Sequence, residues 1–86
     1  MDITDQFLSI VNSVRQIEIE SLDDSVFSSK YGLDANDMVY ILRFASGQMG
    51  FAITEDLIDF LEEHNSFRDV IGYIGSHLKE KGGKQR

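Results

Sequence analysis

Residues 32–42 read Gly-Leu-Asp-Ala-Asn-Asp-Met-Val-Tyr-Ile-Leu, and this stretch contains a helix start. Asp34 can cap a helix because its carboxylate can accept a backbone N–H bond, and Asp37 adds negative charge where the helix dipole favours it. Apolar residues follow at helical spacing, and the predicted buried stripe is Val39, Leu42, Ala45 or Ser46, and Met49. Gly50 supplies the residue type with which many helices end. The stretch therefore predicts a helix that begins near Asp34, with Ala35 at its exposed start.

Three further helices are predicted from apolar spacing and capping residues. The first spans about residues 3–16, and an unusually long loop, residues 18–32, follows it with apolar residues interleaved among acids. Thr54 is predicted to cap a short third helix, and Ser66 and Asp69 have the spacing of a capping box that opens the last helix. The predicted inward face of the last helix is Phe67, Val70, Ile71, Ile74 and Leu78. The fold class is therefore all-α, a four-helix bundle with a short third helix and a long first loop.

Length and composition indicate one small globular domain. Eighty-six residues leave no room for a second core, and a hydrophobic content of 42% is ordinary for a globular chain. No apolar run approaches the roughly 18–20 residues that span a bilayer. The acidic N-terminus, Met-Asp-Ile-Thr-Asp, and the absence of cysteine fit a cytoplasmic protein, which we expect to be a monomer.

Charge is distributed unevenly along the chain. The net charge is −7, but residues 1–78 hold 14 acidic and 4 basic residues, a net charge of −10. Residues 79–86 are predicted to be a basic, disordered tail after a folded domain at 1–78. The acidic body should repel nucleic acids and anionic membranes, and it should attract a partner that carries a basic patch.

The helix start at residues 32–42 resembles the signature of acyl carrier proteins, Gly-x-Asp-Ser-Leu-Asp-x-Val-Glu-Leu. The positions that match it, or nearly match it, are Asp34, Asp37, Val39 and Ile41. Residues 49–56, Met-Gly-Phe-Ala-Ile-Thr-Glu-Asp, are similar to the family's stretch between its second and third helices. In this register the family's serine falls on Ala35. A second register, which loses part of the signature, places Asp37 there, and a local match at Ser25 fits the family spacing poorly.

The resemblance implies a carrier that lacks its attachment point. In the family, the serine carries a 4′-phosphopantetheine arm that a phosphopantetheinyl transferase adds, and the arm presents thioesters to biosynthetic enzymes. Ala35 would mark the tether point, with Asp34 and Asn36 beside it, whereas a methyl group cannot act as the nucleophile. The expected partner contacts are Asp37, Met38, Tyr40, Arg43, Glu62 and Glu63. For Tyr40 with Arg43, and for the acids of the third helix, an ordinary solvated surface is the alternative. A groove that shelters an acyl chain is expected at Val39, Leu42, Phe60 and Ile71.

Two departures from the family pattern bear on the partner. Asn36 replaces a leucine or methionine, and the acids of the family's second helix are found here on the third, so we expect a dedicated partner.

We expect no enzyme activity, because no carboxylate lies in an apolar sequence context and no serine–histidine arrangement is evident. His64 and His77 lack a third ligand in the sequence, so no metal site is predicted.

The origin of Ala35 has two explanations. The carrier-like surroundings favour a serine that has been replaced by alanine, in a protein that would otherwise carry phosphopantetheine. The alternative is a natural alanine in a cargo-free protein–protein interaction adaptor with the same fold. A third interpretation, an acidic four-helix protein unrelated to carriers, would be favoured if the second helix did not begin at Asp34.

Overall fold

Four α-helices make up the regular structure of residues 2–78, the part of the chain that the computed structural model describes. In chain order they are α1 (Ile3–Arg15), α2 (Ala35–Met49), α3 (Leu57–Glu63) and α4 (Phe67–His77). The all-α prediction, the short third helix and the long first loop are confirmed for these residues. The predicted tail at 79–86 lies outside them. Two isolated antiparallel bridges, Ser25 with Ser66 and Phe51 with Leu78, are the only β-type pairings in this part of the chain.

Helix α1 packs against α2 and α4 through its apolar stripe. Asp2 caps α1, because its side chain accepts a hydrogen bond from the backbone N–H of Thr4 at 3.4 Å. Its C-cap is Gln16, the residue after Arg15, which adopts a left-handed conformation with φ of 57°. Its fully buried or nearly buried side chains are Phe7, Ile10 and Val11. The core thus forms mainly where one face of α1 meets two other helices.

The long first loop is fastened to the start of α4. Val26 is fully buried, and its N–H donates to the carbonyl of Asn65 at 2.6 Å. The N–H of Phe67 donates in turn to the carbonyl of Asp24 at 3.0 Å. Apolar residues of the loop pack on the core as predicted, namely Ile19, Leu22, Val26 and Phe27. The loop is therefore ordered by burial and by backbone hydrogen bonds to a distant helix.

Tyr31 anchors the end of this loop just before α2. Its ring is buried and meets the Phe67 ring edge-on, with ring centroids 5.3 Å apart. Its hydroxyl donates to Asp24 Oδ2 at 2.7 Å and accepts from the backbone N–H of Glu20 at 2.9 Å. This hydrogen bond from Tyr31 lowers the pKa of the Asp24 carboxyl below its ordinary value. Leu33 is also buried, so the segment just before α2 is held in place against the core.

The starts of the last two helices differ in how they are capped. Ser66 accepts from the N–H of Asp69 at 3.0 Å, as its spacing predicts. The prediction that Thr54 caps α3 is wrong: the N-cap residue is Asp56, and no side-chain hydrogen bond caps this helix. The Thr54 hydroxyl instead hydrogen-bonds to the Asp56 side chain and lies 3.0 Å from the Tyr73 hydroxyl. Tyr73 thus links the segment before α3 to α4.

Within residues 2–78, the helices are too short or too polar to cross a lipid bilayer.

Candidate functional site

The start of α2 is built by a reciprocal pair of hydrogen bonds. The backbone N–H of Asp37 donates to Asp34 Oδ1 at 2.9 Å, and the backbone N–H of Asp34 donates to Asp37 Oδ2 at 3.1 Å. Asp34 is therefore the N-cap of a complete capping box, in which aspartate takes the place of the more usual glutamate. Ala35 is the first residue of the helix and is exposed, as is Asn36. The predicted start of the second helix is confirmed.

Arg15 ties the end of α1 to this capping box. Its Nη2 donates to Asp37 Oδ1 at 3.2 Å, and both side chains are about two-thirds buried, with 34% and 29% exposed. The hydrogen bond from the Asp34 N–H, followed by that from Arg15, lowers the pKa of the Asp37 carboxyl. Sequence analysis did not identify Arg15, because no local pattern connects two residues that are 22 positions apart. Asp37 thus has a structural role that occupies both of its oxygens.

Met38 does not reach the surface, so its prediction as a partner contact is wrong. Its side chain is completely buried. The buried residues of α2 are Met38, Ile41, Leu42, Ala45 and Met49. The predicted burial of Leu42, Ala45 and Met49 is confirmed, whereas Val39 is only half-buried and Met38 is buried instead. The reason is that Met38 is one helical turn before both Ile41 and Leu42, whose side chains are at the centre of the core.

Tyr40 and Arg43 are exposed on α2, where the sequence placed them. The cation that lies over the Tyr40 ring is that of Arg15, 5.1 Å from the ring centroid, and it is not that of Arg43. Tyr40 is 54% exposed, and Phe44, which sequence analysis missed as a surface residue, is 42% exposed. Its spacing of four residues from Tyr40, outside the apolar stripe, was the signal that could have identified it.

Glu62 and Glu63 are exposed near the end of α3. The acids that the sequence assigned to this region are all exposed, namely Glu55, Asp56, Asp59, Glu62 and Glu63. Two of them precede the helix rather than belonging to it. The acidic surface therefore lies at α3, whereas Ala35 lies on α2. A role of this acidic surface in docking stays a prediction.

The predicted acyl groove is closed in this structure. Leu42 is completely buried and Ile71 is 9% exposed, so both are part of the packed core. Phe60 instead borders a cleft of about 360 Å³ between α3 and α4. The cleft is lined by Asp56, Phe60, His64, Arg68, Asp69, Gly72, Tyr73, Ser76 and His77. It contains only one of the four side chains from which a groove was predicted.

Neither histidine belongs to a metal centre in the described part of the chain. The rings of His77 and Tyr73 are stacked with centroids 4.2 Å apart, and His77 Nδ1 lies 2.8 Å from the Tyr73 carbonyl oxygen. His64 packs against Phe60, with ring centroids 5.2 Å apart. No group of three or more potential ligands is placed to hold a metal ion between residues 2 and 78. Both histidines serve aromatic packing along the cleft.

Comparisons with protein-family models, curated proteins and solved structures find no match to this chain. The interpretation of the site therefore depends on its own geometry and on the resemblance carried by residues 32–42 and 49–56.

Proposed function

We propose that this chain is an acyl carrier-type protein in a form that lacks the phosphopantetheine-attachment serine. The observation that carries the proposal is the exposed residue 35, the first residue of a helix that a complete capping box begins. A tether fixed there would project into solvent from a rigid base. The order of the helices, with a long first loop and a short third helix, is also the order expected from the resemblance.

In such a carrier, position 35 would hold the arm and the surrounding residues would present it. On a phosphopantetheinyl transferase, a serine hydroxyl at this point would lose its proton and attack the β-phosphorus of coenzyme A. The phosphoanhydride bond would break, and 3′,5′-adenosine bisphosphate would leave. The helix N-terminus would then favour the negative phosphodiester. Asp34 and Asn36 would flank the arm, while biosynthetic enzymes that use carrier-bound thioesters would be the partners. The chain itself would have no catalytic residue, and the expected compartment is the cytoplasm.

The test is the transfer of phosphopantetheine to an introduced serine. The Ala35→Ser protein, incubated with coenzyme A and a broad-specificity transferase, should gain the mass of the arm in intact-protein mass spectrometry. The unchanged protein, which has serines elsewhere, should gain nothing. Asn36→Ser, one residue further along the same exposed turn, is the matched control for position. No gain on Ala35→Ser, with an enzyme that modifies a known carrier, would contradict the proposal, whereas modification of Asp37→Ser would favour the second register.

A cargo-free interaction adaptor is the second candidate, and the surface of α2 favours it. Tyr40 and Phe44 are both exposed, and aromatic residues with arginine are typical of binding hot spots. An adaptor would use this surface without any arm at position 35. The residue that the native gene encodes at position 35 separates the two candidates, since serine supports a carrier and alanine supports an adaptor.

A further inference from the structure

The exposed side of α2 carries no exposed acidic side chain, although residues 2–78 as a whole are strongly acidic. Its residues, which we call the α2 face, are Asn36, Tyr40, Arg43, Phe44, Gly47 and Gln48. They recur at intervals of three and four and so lie on one side of the helix. None of them is acidic, and Asp37, the acid on the same side of the helix, is mostly buried and paired with Arg15. Residues 2–78 as a whole hold 14 acidic and 4 basic side chains. The α2 face therefore carries a positive charge in a chain whose net charge is negative.

Arg43 is the cation on this face, and it has no carboxylate partner within residues 2–78. The other three cations in this part of the chain are all in ion pairs: Arg15 with Asp37, Lys30 with Glu20 and Asp24, and Arg68 with Asp23. An arginine side chain can pair with a carboxylate through two parallel hydrogen bonds. Arg43 thus offers an acidic partner a binding group that no carboxylate in the described part of the chain occupies.

Two aromatic side chains lie on either side of Arg43 along the helix. Tyr40 is 54% exposed and Phe44 is 42% exposed, and they are one helical turn apart. The guanidinium of Arg15 lies over the Tyr40 ring, 5.1 Å from its centroid, and this contact favours the observed ring orientation. Preorganisation of this kind reduces the entropy that binding would otherwise cost.

Gly47 continues the same face by one further turn. A Cβ atom added to Gly47 would meet no atom within 4 Å, so packing inside the protein does not require a glycine there. Glycine weakens a helix interior, and it is favoured where another backbone approaches closely. A partner element that approaches α2 at Gly47 would explain this residue.

We propose that the α2 face binds an amphipathic helix of a partner protein, one that carries apolar side chains flanked by carboxylates. The apolar side chains would pack on Tyr40 and Phe44, a carboxylate would pair with Arg43, and Gly47 would allow the two helices to approach closely. The charge of this partner helix is opposite to that expected from the overall charge of the protein, which favours a basic partner. The inference holds for a carrier and for an adaptor alike, because the residue at position 35 takes no part in this contact.

Two synthetic helical peptides with the same leucine stripe test the proposal directly. One has glutamates beside the stripe, and the other has lysines at the same positions. Each is titrated into the isotope-labelled protein while backbone amide shifts are followed by NMR. The glutamate peptide should shift amides of residues 40–48, and the lysine peptide should instead shift those near Glu62 and Glu63. Absence of shifts with the glutamate peptide at millimolar concentration, or shifts confined to other helices, would overturn the proposal.

Substitutions on the face supply the matched controls. Phe44→Ala should weaken binding of the glutamate peptide about tenfold, a loss typical of a contact at the centre of an interface. Ile58→Ala on α3 removes a side chain of nearly equal exposure, 43%, and should leave the affinity unchanged. Arg43→Glu should weaken the glutamate peptide and favour the lysine peptide. Equal effects of Phe44→Ala and Ile58→Ala would show non-specific apolar association and would also overturn the proposal. Phosphopantetheine transfer to Ala35→Ser is a separate measurement, so either proposal can fail alone.

Discussion

Replacement of Met38 by alanine should destabilise the protein strongly, although the sequence placed this residue at a partner interface. The side chain is completely buried between its neighbours on α2 and the rest of the core. Truncation of a buried methionine to alanine costs about 2–5 kcal/mol, the sum of lost burial and of the cavity that remains. A domain of this length is stable by roughly 4–13 kcal/mol in total. The substitution should therefore remove a large part of the free energy of unfolding.

The size of the effect can be measured by urea denaturation followed by far-ultraviolet circular dichroism. The midpoint should fall with little change in slope, because the denatured state exposes a similar surface in both proteins. The melting temperature should fall on the order of 10–30 °C, since each kcal/mol shifts a domain of this size by about 4–8 °C. These two measurements are independent readouts of the same loss.

Arg43→Ala is the control for this experiment, because Arg43 is exposed on the same helix without an ion-pair partner in the described part of the chain. Its effect on stability should stay within about 0.5 kcal/mol. In the peptide titration the two substitutions should have the opposite effects. Arg43→Ala should weaken binding of the glutamate peptide, whereas the folded fraction of Met38→Ala should still bind it. A cost below about 1 kcal/mol for Met38→Ala would refute the reasoning. A larger loss of stability for Val39→Ala than for Met38→Ala would also refute it, because it would indicate that Val39 is the buried residue, as the apolar spacing predicted.

Three further outcomes are expected at the two ends of α2. Asp34→Ala should cost about 1 kcal/mol of stability through the lost cap, while Asp34→Asn, which still caps, should cost much less in the same denaturation assay. Because the hydrogen bonds from the Asp34 N–H and from Arg15 lower the folded-state pKa of Asp37, its contribution to stability is present above the ordinary carboxyl pKa. That contribution is lost as the pH falls through the lowered value. The stability difference between the unchanged protein and Asp37→Asn should therefore shrink on acidification, and a difference that grows would contradict this assignment. Gly50 has φ of 82°, so Gly50→Ala should destabilise the protein by about 1–2 kcal/mol. Gly47→Ala should instead stabilise it by up to about 1 kcal/mol, because the added Cβ meets no atom within 4 Å. Stability changes of the same sign for the two variants would be inconsistent with the backbone geometry.

Local patterns determined where the helices of this chain begin and end. The capping box at Asp34 and Asp37 depends on residues three apart, so the start of α2 could be predicted without knowledge of the rest of the fold. Gly50 adopts the left-handed conformation expected at a helix end. Thr54 is the exception. Its hydroxyl contacts Tyr73, 19 residues away, and this long-range contact replaces the local cap that the spacing predicted.

The sequence by itself determined the four helices, the exposed position of residue 35 and the acidic character of the chain, because each depends on neighbouring residues or on composition. The sequence also predicted correctly that Leu42, Ala45 and Met49 are buried. Only the tertiary structure decided that Met38 rather than Val39 belongs to this buried side, because that depends on contacts with residues distant in the chain. Tertiary packing buries Met38, leaves Phe44 exposed and brings Arg15 to both Asp37 and Tyr40. The apolar pattern of α2 is continuous enough to allow either rotation, and contacts between residues distant in the chain selected one of them.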